Sequence, residues 1–544
     1  MKKLWVPILM SCAAIVGLYL GRLSVSTNNS LRSDAPSYEV SDNFFSNLRN
    51  SKLQSVSELI RTLYVDDVDM DSIEESIIPD LLAKLDPHSV YIPRSEVEHV
   101  AGELKSNFGG IGVTFSVRND TVNVMSVVTG GPSAALGVLP GDKIIKVNGY
   151  DFVGKKVTNQ AVMDSLRGEI GTHVSITVLR RAGSQVNFDI VRGNIPLTSV
   201  DISYQIAPEV GYMKIDRFAE KTYEEMLAGI AKLRAENCKS LIVDLRGNGG
   251  GFLHVVSSMC NEFLDKDQLI VYTEGQHQRR VNTLADGTGT AKDLKLVVLI
   301  DEFSASASEI FSGAMQDNDR GLIIGRRSFG KGLVQSELQL PDGSGLRLTV
   351  ARYHTPSGRC IQRTYADGVE NYYTDVNRRL KNGELFSSDS IKSDTLQTFR
   401  TLKGRTVYGG GGIVPDIFVP YDSASASAYL VSLRAKRIIY EYALSYVDGH
   451  RAELKKLSVP QLINTLLSKQ FVDDVTSFAE KYSVRPSAHI DSTERKVIDN
   501  ETRAYIAQAI VGNDAFFPIL NTLDPVVERA LAELNVQPIY RTAR

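Results

Sequence analysis

The chain has 544 residues, 43% of them apolar, with a net charge of −3 and a pI near 6.3. That length exceeds what one hydrophobic core serves, so roughly two to four domains are expected, and the near-neutral charge excludes the electrostatic footprint of a nucleic-acid binder. Four cysteines (Cys12, Cys238, Cys260 and Cys360) and eight scattered histidines make no zinc-type or disulfide pattern, so neither a metal nor a cofactor is expected.

The chain opens "MKKLWVPILMSCAAIVGLYLGR", two lysines followed by an uncharged, mostly apolar run over 4–21. No A-x-A cleavage site follows, so residues 1–22 read as a retained membrane anchor more than a removed signal. Cys12 in "LMSC" is a poor lipobox, because Met10 is atypical there and few apolar residues precede it. Everything beyond the anchor is then expected outside the membrane, on the periplasmic side. Residues 23–40 are Ser/Asn-rich and read as a linker. From 41 to 106, "FFSNLRNSKLQSVSELIRTLYV" and "DSIEESIIPDLLAKL" carry the helical period, and "LDPHSVYIP" closes this small helical domain.

Near Phe108 the pattern changes to short strands between glycine turns: "FGGIGVTFSV", "VNVMSVV", "GDKIIKVNG", "HVSITVLR" and "VNFDIVRG", with a helix at "NQAVMDSLRG". "FGGIGV" and "ALGVLPGDKIIKVNG" resemble the most recognisable segments of PDZ domains, so 107–194 is expected to be PDZ-like and β-rich. Gly109, Gly110, Ile111, Gly112 and Val113 would then present inward-facing N–H groups to the terminal carboxylate of a peptide added to the sheet edge.

From 195 to 422 strands and helices alternate, as in an α/β domain with at least partly parallel pairing: "VGYMKIDRF", then the helical "TYEEMLAGIAKLRAEN", then "SLIVDLRGNGG", "KLVVLI" and "RGLIIG". Residues 423–544 return to a helical pattern and read as a C-terminal extension of unknown role.

Three stretches of the α/β domain follow buried strands, where such sheets place their sites: "DLRGNGGG", "SASASEI" and "GRRSFGKGLVQ". Ser306 followed by Glu309 also reads as a capping box, which alone would explain that serine. A nucleophilic serine needs a base, and no "GxSxG" elbow or histidine partner is near in sequence. Lys331 can serve only if burial lowers its pKa, and its neighbours Phe329, Leu333 and Val334 are suited to enclose it. The uncharged amide of Gln335 can orient an amine without favouring the ammonium, which an acidic neighbour would do. A glycine turn such as Gly249-Gly250-Gly251 exposes N–H donors for an oxyanion, and the residue after the nucleophile adds another.

Taken in order behind a PDZ-like segment, "DLRGNGGG", "SASASEI", "FGKGLVQ", "RYHTPSGRCIQ" and "GGIVPDI" resemble the C-terminal processing peptidases, or tail-specific proteases, over roughly 41–422. In that family a catalytic serine stands 25 residues before a catalytic lysine, and a glutamine four after it; from Lys331 this counts to Ser306 and Gln335. The resemblance implies a multidomain protein with a crotonase/ClpP-like α/β core, Ser306 as nucleophile, Lys331 as general base and Gln335 as its orienter. It also implies an oxyanion hole of Ala307 with Gly250 or Gly251, a structural Asp317, and structural roles for Ser304 and Ser308. Family members usually carry a residue such as Pro or Ser where this chain has Gly249. The expected partners are unfolded or tail-exposed proteins with a free C-terminus, the membrane through residues 4–21, and a second copy in a homodimer. Arg167, at the end of the PDZ-like helix, is a candidate for coupling that domain to the site. Two other readings remain: a PDZ-bearing scaffold or chaperone that binds without cutting, and an amidase or esterase for small substrates.

Overall fold

In a computed structural model the described residues are 52–541, apart from 104–106, 119, 129, 156, 182, 392–396, 423–426 and 487–489. The expected anchor, the linker and the start of the helical segment lie outside them. Among the described residues no helix is long and apolar enough to cross a membrane. The chain divides into two units, residues 1–77 and 78–544. The first contains the helix Lys52–Leu63 and the beginning of the helix Met70–Leu82.

In the second unit, six strands form the central sheet, in the order Val200–Ala207, Val210–Ile215, Ser240–Asp244, Lys295–Ile300, Gly321–Gly325 and Ile417–Phe418. All neighbours pair in parallel except the first two. Strands such as Ser240–Asp244 are buried at every position, which is why they read as continuous apolar runs. One face packs Val243, Val298 and Ile300 against the helices Thr222–Ala235, Leu253–Asn261 and Ala307–Asp317. The other packs Tyr212, Ile242, Val297 and Leu299 against Val526, Val527, Ala530 and Leu531 of the helix Pro525–Glu533. The C-terminal extension therefore supplies part of the core of the sheet.

A second sheet stands beside the first. Its long strand Gly345–His354 pairs with Leu333–Gln339, with Leu269–Glu274 and with Val90–Ile92. "LDPHSVYIP", read above as the close of the helical segment, thus contributes an edge strand here. The PDZ-like region has the sheet order Val113–Arg118, Thr121–Val127, Lys143–Val147, His173–Leu179 and Gln185–Val191. The alternation of exposed and buried residues along His173–Leu179 produces its period of two. Its helix Asn159–Leu166 is capped by Thr158, whose Oγ1 accepts from Ala161 N–H at 3.1 Å. Val113–Arg118 lies at the end of the sheet, and its outer edge has no partner strand among the described residues.

Candidate active site

"DLRGNGGG", "SASASEI" and "GRRSFGKGL" leave the C-terminal ends of three adjacent parallel strands, so the sheet alone brings them together. Among the three serines, Ser304 and Ser308 are fully buried. Their hydroxyls donate to Leu245 O and Asn248 O, each at 2.9 Å, stitching the serine loop to the glycine loop. Ser306 is the partly exposed one. It sits at the N-cap of the helix Ala307–Asp317 with φ 57° and ψ −114°, a conformation that costs a non-glycine residue on the order of 1–3 kcal/mol and persists only where its surroundings impose it.

Glu309 and Tyr353 are the surroundings that impose it. Glu309 is completely buried, and its carboxylate accepts from Ser306 N–H at 2.9 Å, which is its half of the capping box. It also accepts from Lys331 N–H at 2.8 Å, Gly330 N–H at 2.7 Å and the Ser328 hydroxyl at 2.5 Å. The Tyr353 hydroxyl contacts Ser306 O at 3.0 Å and also Lys331 O. The main chains of Ser306 and Lys331 are therefore cross-braced twice, once through their N–H groups and once through their carbonyls. On the far side of the lysine loop, buried Arg379 donates to the carbonyls of Arg327, Ser328 and Phe329 at 3.0, 2.8 and 3.3 Å.

Burial lowers the Lys331 amine from 10.5 to about 8, with the Arg347 guanidinium acting in the same direction. The Glu309 and Asp86 carboxylates oppose the shift. Acidic neighbours are thus present, and desolvation outweighs them. The Gln335 amide N–H lies 3.4 Å from Thr349 Oγ1, whose hydroxyl donates to Asp86 Oδ1 at 3.0 Å. His88 lies in the same region, held neutral at pH 7 with its pKa at about 4 by burial and then by the Lys331 and Arg363 cations; its Nε2 is 2.9 Å from the Tyr372 hydroxyl.

The glycine loop fits closely around the serine. A Cβ on Gly250 would stand 2.7 Å from Ser306 Cβ and 3.0 Å from Ala307 N, and one on Gly251 would stand 2.1 Å from Phe218 O. The Gly250 N–H donates to Asn248 Oδ1 at 2.8 Å, whereas the N–H groups of Gly251 and Ala307 have no partner among the described residues. Ala307 with Gly251 is therefore the available donor pair. A side chain at Gly249 would meet open space.

Asp317, at the far end of the helix, accepts from Arg359 at 2.7 Å and from the Ser357 hydroxyl at 2.7 Å, both carboxylate and guanidinium fully buried. The Arg167 guanidinium lies over the Phe108 ring at 4.4 Å. Gly109 and Gly110 end a short strand paired with Gly193–Pro196, and Ile111 and Gly112 link it to Val113–Arg118; a Cβ on Gly109 would strike Gly168 O at 2.1 Å. Sequence reasoning passed over Tyr353, Asp86, His88 and Arg379, and took Glu309 only as a cap; the signals for them were the "RYHTP" and "LDPHS" stretches and the serine-to-glutamate spacing. Among the described residues no group of three His, Cys, Asp or Glu side chains is placed to hold a metal ion.

Comparison with known proteins gives three family matches: peptidase family S41 over residues 209–373, a PDZ domain over 109–198 and a family of unknown function over 429–512. A carboxy-terminal-processing protease of Bartonella bacilliformis is 37% identical over 318 residues, 57% of this chain and 72% of that protein. A CtpA-like serine protease of Staphylococcus aureus is 33% identical over 313 residues, 57% of this chain and 62% of that protein. Among solved structures, the photosystem II D1 C-terminal processing protease aligns over 68% of this chain and 92% of its own, at 24% identity and a TM-score of 0.35. The PDZ domain of a Vibrio cholerae carboxy-terminal protease, solved with a peptide, aligns over 17% of this chain and 99% of its own, at 30% identity and a TM-score of 0.16.

Proposed function

The chain belongs to the carboxy-terminal-processing proteases of peptidase family S41 and carries a PDZ domain, and on that premise we propose that it is an exported endopeptidase cutting tail-bearing proteins by a Ser/Lys acyl-enzyme route. The PDZ domain takes the free C-terminal tail as an added strand along Val113–Arg118, with the terminal carboxylate on the N–H groups of Gly109 to Gly112. Ser306 Oγ attacks the scissile carbonyl while the neutral Lys331 amine takes its proton. The oxyanion is held by the N–H groups of Ala307 and Gly251, and Lys331 returns the proton to the leaving amine. Water, deprotonated by the same amine, then hydrolyses the ester. Gln335, tied to Asp86 through Thr349, orients the amine. Export and attachment by residues 4–21 rest on the apolar N-terminal run alone, and the crotonase/ClpP-like form of the core and a homodimer rest on the family resemblance alone.

The observation that carries this reading is the double brace of Glu309 and Tyr353, which fixes a buried, easily deprotonated lysine relative to a backbone-strained serine. A scaffold that only bound tails would need neither. The test mixes purified protein, and its Ser306→Ala and Lys331→Ala variants, with an unfolded polypeptide ending in an apolar free carboxyl tail, and follows cleavage by mass spectrometry. The parent is expected to cut, and the variants to bind the tail with turnover reduced by a factor of about 10³ or more. Tail binding by all three with cleavage by none would instead establish the scaffold.

A further inference from the structure

The C-terminal segment grips the PDZ domain with one end and the catalytic sheet with the other. The PDZ end is the helix Ile438–Leu454 and the residue before it. Arg437 Nη1 donates to Ser116 Oγ at 2.8 Å and lies 3.2 Å from Met125 Sδ, while the Tyr440 hydroxyl donates to Met125 O at 2.8 Å. Arg181 of the PDZ domain pairs with Glu441 at 2.6 Å and Asp448 at 3.3 Å. Leu444, only 1% exposed, fills the space over Gly141, where a Cβ would stand 3.1 Å away. Opposite charges at the margin around a buried tyrosine and leucine are the composition of a specific interface.

The grip falls on a particular irregularity. Thr114 pairs with Ser126 and Phe115 with Val124, so Met125 is the extra residue of a β-bulge in the strand beside the free-edged Val113–Arg118. Ser116 and Met125 stand on the outer face, away from buried Val122 and Val124. A tail adding to the free edge would use backbone groups and leave that outer face in the grip of Arg437 and Tyr440. At its other end the segment packs Val526, Val527 and Leu531 on the sheet. Asp524 pairs at 2.8 Å with Arg246, three residues before Gly249 of the candidate active site.

We propose that residues 428–533 are a bracket whose PDZ-facing surface, Arg437, Tyr440, Glu441 and Asp448, holds the Met125 bulge and sets the position of the tail-binding strand relative to the catalytic sheet. This assigns a role to a segment that the proteolytic reading leaves without one. Spatial continuity alone does not establish coupling, so the test is a charge-swap cycle.

Full-length parent, Arg181→Glu, Glu441→Arg, the double swap and Arg437→Ala would be compared by amide hydrogen exchange over residues 113–127. They would also be compared by the ratio of kcat/KM for one polypeptide with a free C-terminal carboxyl to that for the same polypeptide C-terminally amidated. Each single variant is expected to raise exchange in 113–127 by about tenfold and to lower the ratio about threefold or more, with cleavage of the amidated polypeptide within about twofold of the parent. The swap is expected to return both values most of the way, short of complete because Asp448 also faces position 181. Unchanged exchange in all single variants, or a swap no closer to the parent than either of its singles, would overturn the bracket. Exchange requires no catalysis, so a parent that failed to cut would sink the Ser/Lys reading while leaving the bracket to be judged by exchange alone.

Discussion

Two glycine segments of this chain offer backbone N–H groups, both fastened by their neighbours, and they differ in what they adjoin. The loop Gly249–Gly251 is fastened from every side: Asn248 takes one of its N–H groups, Ser304 and Ser308 tie adjoining carbonyls, and Gly251 lies against Phe218 O. The segment Gly109–Gly112 pairs with Gly193 and Asn194 through its first two residues, has the carbonyls of Gly109, Ile111 and Gly112 held by the N–H groups of Gly168, Ser133 and Val128, and leads into a strand whose outer edge has no partner strand among the described residues. A reacting oxygen must be met at fixed distances, so preorganised donors favour rigidity. A flexible tail must be admitted before it is held, so the capture segment opens onto the edge strand Val113–Arg118.

The largest expected effect comes from removing the fastening on the catalytic side. Glu309→Gln leaves an amide NH₂ among four donors, so kcat should fall by roughly 10²–10³ with KM changed much less, because the loss is of geometry at the reacting atoms. Steady-state kinetics on a tail-bearing polypeptide would check this, and an equal loss in KM and none in kcat would place Glu309 outside the machinery.

Lys331 should report its burial in two measurements. Since its folded pKa is about 8 against 10.5 for the free side chain, kcat/KM should rise as pH increases through 8 and level off above it. The protonated amine is disfavoured by folding, so its cost to stability is full below pH 8 and fades between pH 8 and 10.5, where the unfolded chain binds more protons. Lys331→Met should therefore be more stable than the parent at pH 7 by about 2–3 kcal/mol, an advantage that shrinks over that window in denaturant titrations.

On the capture side, Gly109→Ala forces a methyl onto Gly168 O, so KM for a free-tailed polypeptide should rise about tenfold while kcat stays within about threefold. A fall in kcat of the same size would show that the two loops are less independent than their construction suggests. The smallest effect is expected at Gly249, where a side chain meets open space: Gly249→Ser should change kcat/KM by less than about twofold.

Much of this was legible beforehand because it is local. Buried parallel strands read as unbroken apolar runs, so Ser240–Asp244, Lys295–Ile300 and Gly321–Gly325 were marked by composition alone, and the motifs trailing them followed. The helical period likewise marked Thr222–Ala235 and Asn159–Leu166. "AYLVSLRAKRIIYEYALSYV" kept one period throughout, yet the structure breaks it at Arg437, φ 54°, where the chain turns toward the PDZ domain. No local preference announces that break, because its reason is a contact with Ser116 and Met125 more than 300 positions away.

By itself, then, the sequence determined the strands, the glycine turns and the spacing of Ser306, Lys331 and Gln335, since propensity, periodicity and turn chemistry act within a few residues. Only the tertiary structure decided that Glu309 would bind the lysine loop as well as cap a helix, and that Tyr353 would bridge the carbonyls of Ser306 and Lys331. It alone also decided that Asp86 would support Gln335 through Thr349, and that the last helix would cover the second face of the sheet. These depend on hydrogen bonds and burial between residues distant along the chain, and such pairings exist only once the sheet has brought their strands side by side.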